Sequence, residues 1–414
     1  MDVHLRFGMH RDVEVLHSAK ELLDGMVIPA HILAYQANST SVFVTSMHET
    51  PYVVDPMTFI FQSPKSAHLN DKGELRASVQ KLCDEYHSSL GQLILKLPGS
   101  GYLSPTAFKV DELCKGTLDF QLRKVSEASN SSGAMKYLKR YGMTKVTLPR
   151  CVLPPYFRFD GHGDEWYQLS LNCANETARQ ASPEQEVAPV ICCAISSLTT
   201  QGITSIADDY AEFDRAFVWV DNYQQTAVRS ARIKSVRSLI AALNEKGLAV
   251  ETLYGGFLMI LSRFDGLRGI SHGILYTQHK SVSTTPGSGG APERYYIPAF
   301  REFRSLSQAD LILHRNPELM CDCPVCEDTL AGNPDNFIRF SDEPARLRRH
   351  FLEVRRREAD DIEGTDIKQE IGILLDTYNK YHESVRELPN PDAVVSGAQM
   401  DGLAYLKEWA EAFS

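Results

Sequence analysis

The chain has 414 residues, 43% of them hydrophobic, and a formal net charge of −10. That length buries at least one large core, and the acidic balance argues against a protein that coats nucleic acid, while leaving room for local basic patches. No run approaches the roughly 18 uninterrupted apolar residues of a bilayer-spanning helix. The opening Met1-Asp2-Val3-His4-Leu5-Arg6 lacks the pattern of a secretory leader, so a cytoplasmic protein with no membrane contact is expected.

In chain order, β-type runs are expected at 3–7, 26–33 and 52–59, the last ending at an Asp-Pro pair. A helix is expected over 75–95, where Val79, Leu82, Leu90 and Leu93 recur at helical spacing, and a mixed helical stretch leads to Tyr141. From there extended and helical segments alternate. Residues 146–157, 187–195, 216–220, 249–253 and 269–276 read as strands, and 166–179, 203–213, 228–246 and 258–264 as helices. Repeated β-α units require a parallel sheet, and this many favour a closed (β/α)8 TIM-like barrel over an open doubly wound sheet. No Gly-x-Gly-x-x-Gly turn follows the first strands, which counts against a dinucleotide site. Residues 285–292 form a flexible, Gly/Ser/Pro-rich linker. The expected domains are therefore a barrel over 1–284, a small lobe over 293–365 and terminal helices over 366–414, with amphipathic helices near 367–386 and 399–413.

Within the small lobe the chain reads Cys321-Asp322-Cys323-Pro324-Val325-Cys326, and His350 follows on an Arg-rich helix. Three thiolates in six residues surround one ion if the backbone turns sharply, as Pro324 favours. With one imidazole the set is Cys3His, a closed tetrahedral zinc site that carries structure rather than chemistry. Ser341 is the expected N-cap of that helix, with Leu347, His350, Phe351 and Val354 on one inward face. Cys83, Cys114, Cys151, Cys173, Cys192 and Cys193 lie in apolar or mixed segments and read as buried reduced thiols. Arg346, Arg349, Arg355 and Arg356 form a basic helix that would attract a phosphate backbone. A solvated face paired with Glu358, Asp360 and Asp361 is the alternative.

A β/α barrel followed by Cys-x-Cys-x-x-Cys and a helical histidine resembles the tRNA-guanine transglycosylase superfamily, over roughly residues 50–360. The segments Pro51 to Phe59, Pro154-Pro155-Tyr156-Phe157 and Tyr295-Tyr296-Ile297-Pro298 are closest to its bacterial and phage branch, whose members place 7-deazaguanine bases in DNA. The resemblance implies exchange of guanine for a 7-deazaguanine through a covalent glycosyl-enzyme intermediate, with tRNA as the alternative substrate. Two differently tuned acids are needed for this. Asp55 matches the acidic position before the family's turn, and an Asp-Pro turn residue without chemistry is the alternative. His272 stands where the family has its nucleophilic aspartate, which puts that role in doubt. Asp221 follows an apolar strand and is the best replacement, with a capping or structural role as its alternative; His272 itself reads first as a hydrogen-bonded core histidine, with a proton shuttle as its alternative. Asp160 (or Asp164), Tyr156 and the Gly255-Gly256 pair fall to the base pocket, with Tyr156 or Phe157 available to stack on an extruded base. A non-catalytic scaffold that kept the barrel and zinc site is the reading of a different class. A helper protein for strand opening and a homodimer stay open.

Overall fold

The computed structural model describes residues 1–8, 10–140, 146–274, 278–283, 292–388 and 402–414. Seven strands form one parallel sheet: β1 (Asp2–Arg6), β2 (Gly25–Pro29), β3 (Tyr52–Asp55), β4 (Val190–Cys193), β5 (Arg215–Val220), β6 (Ala249–Thr252) and β7 (Leu267–His272). Their spatial order is β3-β2-β1-β7-β6-β5-β4, and the sheet curls as a half-barrel. Residues 150–159 reach both of its edges. Arg150 N–H donates to the Tyr52 carbonyl of β3 at 2.7 Å, while Val152 pairs with Val187 and Phe159 with Cys193 beside β4. Read around the sheet and through this segment, neighbours follow chain order. Each pair of parallel strands is joined through helices, as parallel topology requires.

Near-continuous apolar runs such as Arg-Ala-Phe-Val-Trp-Val in β5 are what strands buried on both faces need. The two faces separate by alternation. Val27, Val53, Val190, Cys192, Phe217, Trp219 and Leu253 form the inner cluster, whereas Leu5, Ile28 and Val54, or Ile191, Val218 and Ile270, pack outward against helices. Charged side chains break the inner face at two levels. His4 and Glu251, with Arg150 and Arg215, close the end where strands begin, and Arg6 with Asp55 lies where β1 and β3 end.

Several expected elements differ. The expected strand 26–33 is cut at Pro29, which N-caps a helix over Ala30–Tyr35. The expected strand 52–59 stops at Asp55, because Met57 turns left-handed (φ 54°) into a 3-10 turn over Thr58–Gln62. The helix read over 75–95 is two, Ala77–Tyr86 and Leu90–Lys96, separated where His87 is extended. Residues 285–291 of the expected linker lie outside the described residues, as do 275–276 and 399–401.

Beyond the sheet, β8 (Arg294–Ile297) and β9 (Glu302–Ser305) form an antiparallel hairpin, followed by the cysteine loop and the helix Pro344–Gly364. That helix begins at Pro344, with Glu343 rather than Ser341 at the N-cap. Proline suits the first helical position, whose N–H would go unbonded anyway, and Ser341 belongs to a separate turn over Arg339–Asp342. The C-terminal helix Ala404–Phe413 docks on Ser230–Glu245. Trp409 Nε1 donates to the Gln225 carbonyl at 2.9 Å, Glu408 accepts from Ser230 N–H at 2.8 Å, and the Arg237 guanidinium lies 4.0 Å from the Phe413 ring centroid.

Candidate functional site

Cys321, Cys323, Cys326 and His350 converge, with one donor atom from each lying within 4.8 Å of the others. Pro324 starts the short helix Pro324–Leu330 with Cys323 as its N-cap, so the chain turns between the second and third sulfurs and brings Cys326 back beside them. His350 is fully buried, and its Nδ1 lies 3.3 Å from Cys323 Sγ and 3.2 Å from Cys326 Sγ. Its other nitrogen, Nε2, meets the Tyr296 carbonyl at 2.7 Å. A carbonyl only accepts, so Nε2 carries the proton and Nδ1 presents its lone pair to the sulfurs, as metal-ligating histidines do. The ring stacks on Tyr295 at 4.4 Å, and the Cys323 N–H points at Cys321 Sγ at 3.4 Å. Hydrogen bonding from Cys321 and Cys326, with His350 beside them, drives the Cys323 thiol far below its ordinary range. The donor set and its orientation fit a metal ion.

The expected inward face is present: Leu347, His350, Phe351 and Val354 are all buried. The arginines of the same helix serve the chain itself. Arg355 has no exposed surface; it holds Glu358 at 2.9 Å and lies 5.2 Å from the Phe351 ring. It is therefore removed from any nucleic-acid surface. Arg349 pairs with Glu21 at 2.7 Å and Glu353 at 2.8 Å, and Arg356 with Asp24 and Asp360, both at 2.5 Å. Arg346 is bonded to Asp328 and to Glu343. Asp24 immediately precedes β2, so Arg356 clasps the end of the sheet opposite the strand C-termini. Glu358 and Asp360 are the local partners that the solvated-face alternative expected, whereas Glu21, Asp24 and Asp328 come from distant parts of the chain, which local sequence does not show.

At the C-terminal ends of the strands, where parallel α/β folds place their sites, a cleft of about 710 Å³ opens. Asp221, Asp160, Asp164, Arg158, Trp166 and Tyr102 are among its lining residues. Asp221 follows β5 directly. Its Oδ1 accepts from Val282 N–H at 2.8 Å and its Oδ2 from Arg158 Nε at 3.0 Å, and Arg158 also reaches Asp160 at 2.8 Å. One guanidinium thus spaces two carboxylates across the cleft. Asp164 has a second duty as N-cap of Glu165–Gln180, accepting from Trp166 N–H at 3.0 Å. A groove of about 900 Å³ against Ala37–Ser46 is larger, but it lies away from the strand ends, and among the described residues its titratable liners are His17 and Tyr137.

Asp55 does sit at the C-terminal end of β3, but its carboxylate is fully buried. It is ion-paired to Arg6 and accepts from Tyr156 Oη at 2.8 Å and Met57 N–H at 2.9 Å. Burial opposes charge on Arg6, yet Tyr254 and Asp55 outweigh it and raise its pKa. Tyr156 is accordingly a buried partner of Asp55, packed against Phe59 and Trp219, rather than a stacking surface in the cleft.

His272 is a correction of a different kind. Alternation along β7 turns Ser271 to the inner face, where its Oγ donates to the Leu253 carbonyl at 2.5 Å, and His272 to the outer one. The imidazole lies 5.1 Å from Phe351, fully buried, and burial together with Arg355 lowers its pKa to about 3. It is a neutral core histidine away from the cleft. Gly255 and Gly256 are buried as well, and a Cβ on Gly256 would run into the side chains of Gln225 and Gln278. They allow close packing inside the protein and leave no space for a base.

Arg158, Arg6 and Lys280 escaped sequence reasoning. Arg6 had a signal, a cation alternating with apolar residues in a buried strand; Arg158 and Lys280 had none.

No protein-family model matches the chain, and no curated protein matches it. Among solved structures, xylanase B from Clostridium stercorarium F9 superposes with a TM-score of 0.34 and 9% identity, covering 68% of this chain and 90% of that one.

Proposed function

We propose that the protein is a base-exchange transglycosylase that replaces guanine in DNA with a 7-deazaguanine, built on a (β/α)8 barrel whose eighth strand is the irregular segment 150–159. The observation that carries this reading is Asp221, a carboxylate at a strand's C-terminal end, held by Arg158 and facing a cleft large enough for a nucleoside. An Asp221 oxygen forms a bond to the deoxyribose C1′ as the C1′–N9 bond breaks. The purine leaves with the electron pair and takes up a proton from water in the open cleft, and the incoming 7-deazaguanine gives up its N9 proton to water as it bonds to C1′ and the Asp221 ester bond breaks. Asp160 accepts from the N–H edge of guanine, and Trp166 or Tyr102 offers a stacking face. Asp55, closed under Arg6 and Tyr156, supports the site and does not meet the substrate.

The Cys3His quartet holds zinc. Four protein donors leave no position for water, so the ion fastens the small lobe through Tyr296 and takes no part in the reaction. One observation favours the alternative, a non-catalytic scaffold: the inner position at the end of β7 is Ser271, with no carboxylate there.

The test is a labelled-guanine exchange assay on DNA and tRNA in parallel. Exchange into DNA is expected, with Asp221→Asn lowering it by at least about 1,000-fold while the fold survives. Exchange on tRNA alone overturns the DNA assignment, and none on either substrate makes the chain a scaffold.

A further inference from the structure

Beside the cleft, and sharing Ser63 and Ala67 with it, lies a second cavity of about 300 Å³. Basic and hydroxyl groups from separate parts of the chain converge there: His31 after β2, His68, Arg76 and Ser78 around the start of Ala77–Tyr86, and Lys280 from the strap 278–283. Among the described residues no carboxylate lines it. Arg76 spends its Nε on the Leu69 carbonyl at 3.0 Å, and the Lys280 ammonium lies 5.5 Å from the Phe59 ring centroid. Among the described residues neither cation is ion-paired to an acid. Burial, with Lys280 and Arg6 nearby, lowers His31 to about 4, and burial lowers His68 as well. Both imidazoles are therefore neutral at pH 7, and His68 spends its one N–H on the Ser63 carbonyl at 3.2 Å. Burial and Arg6 lower Lys280 to about 8, against the pull of the buried Asp55, so it still carries its charge at pH 7.

The donors approach from several directions: an ammonium, a guanidinium, two hydroxyls and the free first-turn N–H groups of Ala77–Tyr86. A tetrahedral oxyanion uses such an arrangement better than a planar carboxylate does. The geometry points to a phosphate subsite, which takes the backbone phosphodiester beside the nucleotide whose base enters the cleft. The anion chemistry stands by itself; its source in a nucleic acid rests on the base-exchange reading.

Calorimetric titration of the full chain with inorganic phosphate tests the subsite. Saturable one-to-one binding is expected, weakened about tenfold by Lys280→Gln and by Arg76→Gln and retained by Lys280→Arg, with thermal melts confirming that each variant is folded. A short single-stranded oligodeoxynucleotide should displace the phosphate. Absence of binding, or binding indifferent to both substitutions, overturns the subsite, and phosphate that the oligonucleotide does not displace overturns its backbone assignment. Displacement that survives without any guanine exchange leaves the subsite standing and removes the base-exchange reading alone.

Discussion

Replacing Glu251 with glutamine tests the charged layer that closes the N-terminal end of the sheet. Glu251 is fully buried in β6. Arg150 Nη2 donates to both of its oxygens at 2.9 Å, Arg215 binds one of them, and His4 Nε2 lies 3.0 Å away. Burial works against the carboxylate, but His4, Arg150 and Arg215 outweigh it and hold its pKa at about 2, against an ordinary 4.5. The difference between 4.5 and about 2, at ~1.36 kcal/mol per tenfold change in proton affinity, gives about 3 kcal/mol. The folded carboxyl binds protons less readily than the unfolded one, so this stabilisation is complete above pH ~4.5 and is lost as pH falls through ~2. Glu251→Gln removes the charge and leaves two arginines around an amide, at a cost of ~3–5 kcal/mol at neutral pH. Urea unfolding across pH 2.5 to 7 should show a large gap between wild type and variant at pH 7 that narrows below pH ~4. A gap of constant size across that range, or equal midpoints at pH 7, would refute the account.

Two further perturbations follow from geometry. His350→Ala removes one donor from the quartet and leaves the Tyr296 carbonyl unbonded. Zinc measured by elemental analysis should fall from about one ion per chain to well below one, and unchanged stoichiometry would exclude His350 as a ligand. Gly116→Ala places a Cβ against the Tyr86 backbone, with the carbonyl carbon only 2.7 Å away. Since Tyr86 Oη donates to the Pro56 carbonyl beside Asp55, the shift should cost ~1–3 kcal/mol in denaturant unfolding and lower cleft activity with it; an unaltered midpoint would show that the helix Val110–Ser129, which carries Gly116, moves freely off Ala77–Tyr86.

The quartet and much of the sheet are legible in the order of residues. Cys-x-Cys-x-x-Cys with Pro324 is a local device: short spacing fixes the turn, and the inward face of the following helix points to His350 without knowledge of the fold. Strands such as β5 and β6 were legible for a similar reason, since apolar runs between amphipathic helices identify themselves within a few residues. Tertiary structure alone decided which polar groups meet. His272 was assigned by its place in a motif, but a one-residue step along a strand reverses the direction of a side chain, and only the register of β7 against β1 shows that it faces Phe351. Asp55 matches an acidic position before a turn, but its partner Arg6 comes from another strand and closes it off. The arginines near residue 350 read either as a surface for phosphate or as a face paired with Glu358 and Asp360; those pairs form, and Glu21 and Asp24 add to them from the opposite end of the chain. Periodicity records which side of an element is apolar; the partners of buried charges such as Arg6 and Glu251 sit on other strands, and only folding brings them together.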